Sequence, residues 1–295
     1  MAVFNPPPAP SVRKSLAKNG SAGTPPEAAR RAELQLRVVS AAVMGPVILA
    51  LAYLGGWTYI GAVILILGGA LYEWLRLTAP TISLRSSIVL AVALGVLLLM
   101  GAGGGPIFGL TWAIFLVVTM GVTEYVNTPE VSPWGAGALA YLGLSGLALF
   151  YLREAPTTGW ILTLYLFMTV WAADTGAYVV GRMIGGAKLW PSVSPQKTWA
   201  GLYGALGTAA VVGGVIGALS HGAIHPVIGT LVGVGVGLVS QGGDLFESFL
   251  KRRAGVKDSG TLIPGHGGIL DRIDGLIAAA IFLAIVKAAA PTGVL

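Results

Sequence analysis

Residues 198–243 read TWAGLYGALGTAAVVGGVIGALSHGAIHPVIGTLVGVGVGLVSQGG and contain no Asp, Glu, Lys or Arg. A helix needs about 20 apolar residues to cross the hydrocarbon core of a bilayer. The segment is long enough for two such crossings, and its most polar part is the turn before Pro226. It therefore predicts two membrane-spanning helices joined by a short turn.

The rest of the chain has the same apolar character. Of its 295 residues, 55% are hydrophobic and 10% are charged, and the mean hydropathy is +0.80. Charged residues make up about a quarter of a typical soluble domain. Charge-free segments at 38–72 and 86–123 fit two helices each, and 131–152, 155–173 and a segment that begins near Leu270 fit one each. The fold class predicted is an all-α polytopic integral membrane protein with about nine transmembrane helices.

Two features of the composition narrow the possible functions. The 44 glycines follow no collagen-like period, so they indicate close helix packing in lipid, where small residues let backbones approach. The chain has no cysteine, which excludes disulfides, thiolate metal sites, iron–sulfur clusters and cysteine nucleophiles.

The basic residues predict the orientation of the chain. With nine helices and a cytoplasmic N-terminus, only Arg153 and Lys287 of the 18 basic residues fall on the outer side, as the positive-inside rule favours. We expect residues 1–36 to form a disordered basic cytoplasmic tail. Residues 37–155 then hold transmembrane helices one to five, and residues 156–295 hold helices six to nine with two cytoplasmic loops.

Most of the acidic residues lie inside or against predicted helix ends on the cytoplasmic side. Intramembrane carboxylates are unfavourable unless they are paired, hydrated or metal-bound, so each is a functional candidate. For Glu73 and Glu124, an acid hydrated at the headgroups is an equally good interpretation. The same two interpretations stay open for Asp174, which lies beside Thr175 and Tyr178.

Residues 241–275 concentrate the polar chemistry. Asp244 and Glu247 are three residues apart and share a helix face, and Asp271 and Asp274 repeat this spacing at the start of the last helix. These two helices are antiparallel neighbours, so Asp244 and Asp271 could meet. Converging carboxylates suit a hard cation such as Mg²⁺. Acids in the first turn of a helix also compensate its dipole, which is the structural alternative.

Basic and glycine-rich loops accompany these acids on the same side. Lys and Arg side chains with glycine backbone N–H groups suit a polyphosphate, although a basic loop could also hold anionic headgroups. The residues concerned are Lys251, Arg252, Arg253, Lys257, Gly265, His266, Gly267, Gly268 and Arg272 in one loop, and Arg182, Lys188, Ser194 and Lys197 in the other.

Other motifs have structural explanations. The GVGVG run at 233–237 imitates a dinucleotide fingerprint, but no strand precedes it, which favours helix packing. His221 and His225 have no carboxylate neighbours, which favours loop residues over metal ligands.

Two segments resemble one enzyme family. Residues 248–274, SFLKRRAGVKDSGTLIPGHGGILDRID, resemble the signature of phosphatidate cytidylyltransferases, in which S-x-x-K-R, K-D and H-G-G-x-x-D-R-x-D recur at these spacings. Residues 181–201, GRMIGGAKLWPSVSPQKTWAG, are similar to the family's G-R…S-P-K-K-T-x-E-G. Gln196 replaces the usual lysine of this second motif and Ala200 the usual glutamate.

The resemblance implies an activity and its participants. It implies Mg²⁺-dependent transfer of cytidylyl from CTP to phosphatidic acid, which gives CDP-diacylglycerol and pyrophosphate. It also implies a homodimer in the lipid bilayer of a bacterial-type inner membrane, with the site facing the cytoplasm and no nucleic-acid partner. A second cation beside Mg²⁺ is compatible with the motif.

The resemblance also assigns roles to individual residues. The catalytic residues implied are Asp244, Asp271, Lys197, Lys257 and Arg272. The substrate-binding residues implied are Arg182, Ser194, Lys251, Arg252, His266, Gly267 and Gly268. The metal ligands implied are Asp244 and Asp271, with Asp274 in support.

Two other classes of function remain as alternatives. A CTP-dependent lipid-alcohol kinase would share the metal and triphosphate sites but would use a hydroxyl acceptor. An ion-coupled transporter would also need intramembrane acids, but the sequence shows no inverted repeat, and its ionisable residues gather at one face.

Overall fold

The computed structural model describes residues 43–103, 114, 132–263 and 267–290. The helices in these ranges are α1 Val43–Leu54, α2 Gly56–Thr78, α3 Leu84–Gly103, α4 Ser132–Arg153, α5 Gly159–Ile184, α6 Trp199–Leu219, α7 Pro226–Arg253 and α8 Leu270–Ala289. By length and composition, five of them could cross a membrane, namely α2, α3, α4, α6 and α7. The coarse prediction of an all-α membrane protein is confirmed. The count of nine spans stays a prediction, because nearly all of the second helix expected within 86–123 lies outside the described residues. The tail at 1–36 and Glu124 lie outside them as well.

The helix breaks fall at residues with special backbone properties. The segment 198–243 divides as predicted, since α6 ends at Leu219 and Pro226 occupies the first turn of α7. Gly55, with φ +65°, separates α1 from α2. Arg153 donates hydrogen bonds to the carbonyl oxygens of Ala52 and Tyr53, at 2.6 and 2.9 Å, and so satisfies acceptors that the end of α1 leaves open.

Two helices extend beyond their predicted charge-free segments. α5 continues to Ile184 and thus contains Asp174, and α7 continues to Arg253 and contains Asp244 and Glu247. These carboxylates are therefore held on rigid helices and not on loops.

Close backbone contacts pack α6 between α5 and α7. A Cβ atom at Gly213 would lie 2.4 Å from the carbonyl oxygen of Gly229, and one at Gly233 would lie 2.4 Å from that of Ala209. The Tyr165 hydroxyl reaches across from α5 and donates to the Gly229 carbonyl oxygen at 2.6 Å. The interpretation of the glycines as packing residues is confirmed for α6 and α7. On the far side of α7, α8 packs against both α7 and α4.

A short hairpin, which the sequence did not predict, connects α5 to α6. Strand β1, Lys188–Trp190, pairs antiparallel with β2, Ser194–Thr198. The Thr198 hydroxyl accepts a hydrogen bond from the Gly201 N–H at 3.1 Å and caps the N-terminus of α6. Lys197 immediately precedes this cap, so its position relative to the helices is fixed.

Candidate active site

A polar cavity of about 590 Å³ lies where α5 and α7 end and α6 and α8 begin. The hairpin forms another part of its wall. Its charged lining residues are Asp174, Arg182, Lys197, Asp244, Lys251, Asp271, Arg272 and Asp274. A larger cavity, of about 860 Å³, surrounds Tyr151 and Lys287 at the other end of the helices, and Glu154 is its acidic lining residue in the described part of the chain. The smaller cavity is the better candidate site because acids and bases face each other there.

Lys197 joins the hairpin to α7. Its ammonium group lies 2.7 Å from an Asp244 carboxylate oxygen and 2.9 Å from the Gln241 side-chain oxygen. The Gln241 amide nitrogen donates in turn to Asp174 of α5 at 3.2 Å. Gln241 is buried, whereas the Asp244 side chain is 36% exposed. This network aligns three separate elements around one lysine and leaves its aspartate partner open to the cavity.

Lys251 forms the second charged centre, between α7 and α8. Its ammonium group lies 2.7 Å from Asp271 and also contacts the buried carboxylate of Glu247, one helical turn earlier. Asp271 accepts two backbone hydrogen bonds as well, from the N–H groups of Ser259 at 3.0 Å and Gly268 at 2.9 Å. The loop that precedes α8 therefore holds the Asp271 carboxylate in one orientation.

The donor set suits a divalent metal in its chemistry. Asp244, Asp271 and Asp274 line one cavity and offer carboxylate oxygens, the donors that Mg²⁺ prefers. Within the described residues, no three acidic or histidine side chains already come close enough to share an ion. Asp244 and Asp271 are each paired with a lysine instead.

The structure brings most of the predicted site residues together. The cavity is lined by Asp244, Asp271, Asp274, Lys197, Lys251, Arg272, Arg182 and Ser194. Of the other predicted residues, Gly268 contacts the site through its N–H group and Gly267 adopts φ +83° beside it. Lys257 is exposed outside the cavity.

Arg252 points to the loops and not into the cavity. Its guanidinium donates to the carbonyl oxygens of Val193 at 3.2 Å and Val256 at 3.1 Å, and thereby ties the hairpin to the end of α7. His266 lies outside the described residues.

Sequence reasoning missed the part that Gln241 plays. The residue lies three positions before Asp244, a spacing that places both on one helix face and could have identified it. A neutral amide within a glycine-rich helix has no local pattern that indicates a functional role, yet this one connects Lys197 to Asp174.

Comparison with known proteins gives consistent matches. The pattern of the cytidylyltransferase family matches residues 35–289. A Brucella suis protein named phosphatidate cytidylyltransferase is 38% identical over 257 residues, which cover 85% of this chain and 92% of the relative. A protein of the same name from Synechocystis is 32% identical over 272 residues, or 82% of this chain and 92% of the relative. One from Haemophilus influenzae is 46% identical over 151 residues, about half of each chain.

Proposed function

This chain belongs to the cytidylyltransferase family, and from that premise we propose that it transfers the cytidylyl group of CTP to phosphatidic acid. It is a nucleotidyltransferase. The products are CDP-diacylglycerol and pyrophosphate. The observation that carries the assignment of the site is that both motifs line one cavity, where Lys197 of the 181–201 segment pairs with Asp244, and Lys251 and Asp271 of the 248–274 segment pair with each other.

The reaction needs positioning and charge neutralisation more than acid–base chemistry. A phosphate oxygen of phosphatidic acid attacks the α-phosphorus of CTP, an O–P bond forms, and the bond to the β-phosphate oxygen breaks to release pyrophosphate. The nucleophile is already an anion, so a general base adds little. Phosphoryl transfers of this kind rest on alignment and on stabilisation of the spread negative charge.

The cavity residues supply that alignment and charge. Lys197 and Lys251 are held by Asp244 and Asp271, and Arg182 and Arg272 line the same space, so four basic side chains border the volume available to the triphosphate. We assign direct roles in the reaction to Asp244, Asp271, Lys197, Lys257 and Arg272. Substrate binding is assigned to Arg182, Ser194, Lys251, Arg252, His266, Gly267 and Gly268. For Lys257 and Arg252, which do not line the cavity, the assignment rests on the motif.

Asp244 and Asp271 are the residues that would hold Mg²⁺, with Asp274 in support, and the same carboxylates would also suit a second cation. Such an ion would supply Lewis-acid stabilisation of phosphate oxygens. The lysines that now contact Asp244 and Asp271 are long side chains, which suits them to exchange an aspartate for a phosphate oxygen.

The membrane setting follows from charge distribution. Lys287 follows Asp271 by 16 residues on α8, a rise of about 24 Å, and it donates to the carbonyl oxygen of Tyr151, two residues before Arg153 on α4, so Lys287 and Arg153 lie far from the cavity. This supports a site on the cytoplasmic face of a bacterial-type inner membrane.

Tyr178 lines the cavity, and the neighbouring Met183 and Ile184 at the end of α5 are 80% and 72% exposed. These exposed apolar side chains suit the acyl chains of a lipid that enters from the inner leaflet. We also propose a homodimer.

Pyrophosphate release tests the function. Purified protein with Mg²⁺ and CTP should release pyrophosphate when given phosphatidic acid and not when given diacylglycerol, and CDP-lipid should form in equal amount. Phosphorylation of diacylglycerol would indicate a lipid-alcohol kinase instead. Protein that binds CTP but turns over neither lipid would contradict the proposed acceptor.

A further inference from the structure

Glu73 is a buried acid in the N-terminal part of the chain, and its side chain contacts residues almost 200 positions away. It lies on α2 and is 1% exposed. One carboxylate oxygen accepts from the Leu270 N–H at 2.8 Å and the Ser259 hydroxyl at 3.0 Å, and the other accepts from the Ile269 N–H at 3.1 Å. These partners all belong to the loop before α8 or to the N-terminus of α8.

These contacts leave little room for movement. A Cβ atom at Gly260 would lie 2.3 Å from a Glu73 oxygen, and one at Gly268 would lie 2.5 Å from the other. The two glycines therefore let the loop close over the Glu73 carboxylate. Negative charge at this point also suits the N-terminus of α8, where N–H groups lack intrahelical partners.

Ser259 connects Glu73 to the cavity. Its hydroxyl donates to Glu73, while its backbone N–H donates to Asp271 at 3.0 Å. Gly268, which lies against the Glu73 carboxylate, donates its own N–H to Asp271 at 2.9 Å. Both backbone groups that orient Asp271 are thus held in place by an acid on α2.

We propose that Glu73 is a positioning residue for the reaction, which fixes the loop before α8 and thereby sets the orientation of the Asp271 carboxylate. This inference rests on the proposed function, because it takes Asp271 as a reacting-site residue. It gives α2, which does not line the cavity, a direct part in the geometry of the site. Loss of the Glu73 contacts should leave CTP able to bind but misorient Asp271, so kcat should fall more than KM rises.

The test uses Glu73→Gln and Ser259→Ala in the full chain. An amide at 73 turns one acceptor into a donor that faces N–H or O–H groups, whereas Ser259→Ala removes only the hydroxyl link and leaves the backbone N–H. The matched control is Glu154→Gln, the same chemical change at an exposed acid far from the candidate active-site cavity. The chain has no cysteine, so a single Cys at exposed Thr261 can carry a nitroxide label whose spectrum reports loop mobility.

We expect kcat for pyrophosphate release to fall about 10- to 100-fold in both variants, with the KM for CTP changed less than about threefold, since small misplacements in a site have effects of this size. The label at 261 should become more mobile in both variants and stay unchanged in the control. If Glu73→Gln does not fold, Ser259→Ala alone decides. An active wild type beside a Ser259→Ala variant with the same kcat and the same spectrum overturns the inference. Absence of pyrophosphate release from the wild type would instead show that the proposed function fails.

Discussion

Replacement of Lys197 with Ala separates a substrate contact from a structural one. In the structure, the Lys197 ammonium bridges Asp244 and Gln241, at 2.7 and 2.9 Å, and its side chain is 16% exposed. Removal of the ammonium leaves Asp244 without this partner. Water can hydrate the Asp244 carboxylate, which is 36% exposed, but the buried Gln241 oxygen loses its donor, so the free energy of unfolding should fall by about 1 kcal/mol.

The expected effect on catalysis is larger. A hydrogen bond from a charged group to a phosphate oxygen contributes about 1.5–3 kcal/mol, and 1.36 kcal/mol corresponds to tenfold in rate. Lys197→Ala should therefore lower kcat/KM for CTP by about 10- to 150-fold. The matched control is Lys188→Ala, which removes an exposed lysine from the other strand of the same hairpin.

The assay is initial-rate pyrophosphate release at varied CTP, with thermal unfolding in detergent measured in parallel. Lys188→Ala should keep the wild-type CTP dependence. A Lys197→Ala enzyme with unchanged kcat and KM for CTP would refute the assignment of Lys197 as a phosphate contact. If the Lys197→Ala variant loses both rate and a large part of its thermal stability, the substrate contact of Lys197 cannot be separated from its structural contacts, and the reasoning fails.

Three further perturbations test the metal site, the packing and the topology. Asp271→Asn should abolish Mg²⁺-dependent turnover in protein that still elutes as a folded species from size-exclusion chromatography, and a normal Mg²⁺ titration would remove Asp271 from the metal site. Gly233→Ala should lower the free energy of unfolding by about 1–3 kcal/mol, because the added methyl group meets backbone atoms. Gly207→Ala is the control, since nothing lies within 4 Å of its added Cβ, and it should not lower that free energy. Equal melting temperatures for the two variants would contradict the packing. A single Cys at Ser192 should react with an impermeant maleimide only from the cytoplasmic side and one at Thr157 only from outside, and the opposite pattern would invert the proposed orientation.

Much of the helical architecture could be predicted because its physical cause is local. A charge-free segment with a turn before Pro226 was enough to place α6 and α7. Counting apolar residues stops at the first charge and so does not place the end of α5, whereas the three-residue spacing of Asp244 and Glu247 indicates that α7 continues past its charge-free segment. Within these helices, Asp174 and Asp244 have polar partners in the cavity, since Gln241 donates to Asp174 and Lys197 pairs with Asp244.

The site was predictable to the extent that its motifs are contiguous. The spacing of Asp244 and Asp271 on two antiparallel helices predicts that they lie close together, with Lys251 in the basic segment beside them. The β hairpin could not be predicted, because its strands are only three and five residues long and the segment contains Pro191 in the turn and Pro195 in β2. The role of Glu73 could not be predicted, because its partners lie 186 to 197 residues away and no local pattern encodes such a contact.

The two lysine–aspartate pairs of the cavity also determine how its ligands affect each other. A phosphate oxygen that engages Lys197 or Lys251 does so by exchange, because each ammonium already neutralises a carboxylate. The displaced Asp244 or Asp271 then retains its charge and attracts a cation. If CTP and Mg²⁺ bind as proposed, occupancy by either ligand favours the other, and linkage requires that the two affinities rise by the same factor. The CTP affinity measured without a divalent cation should then be lower than the affinity at working concentrations of that ion.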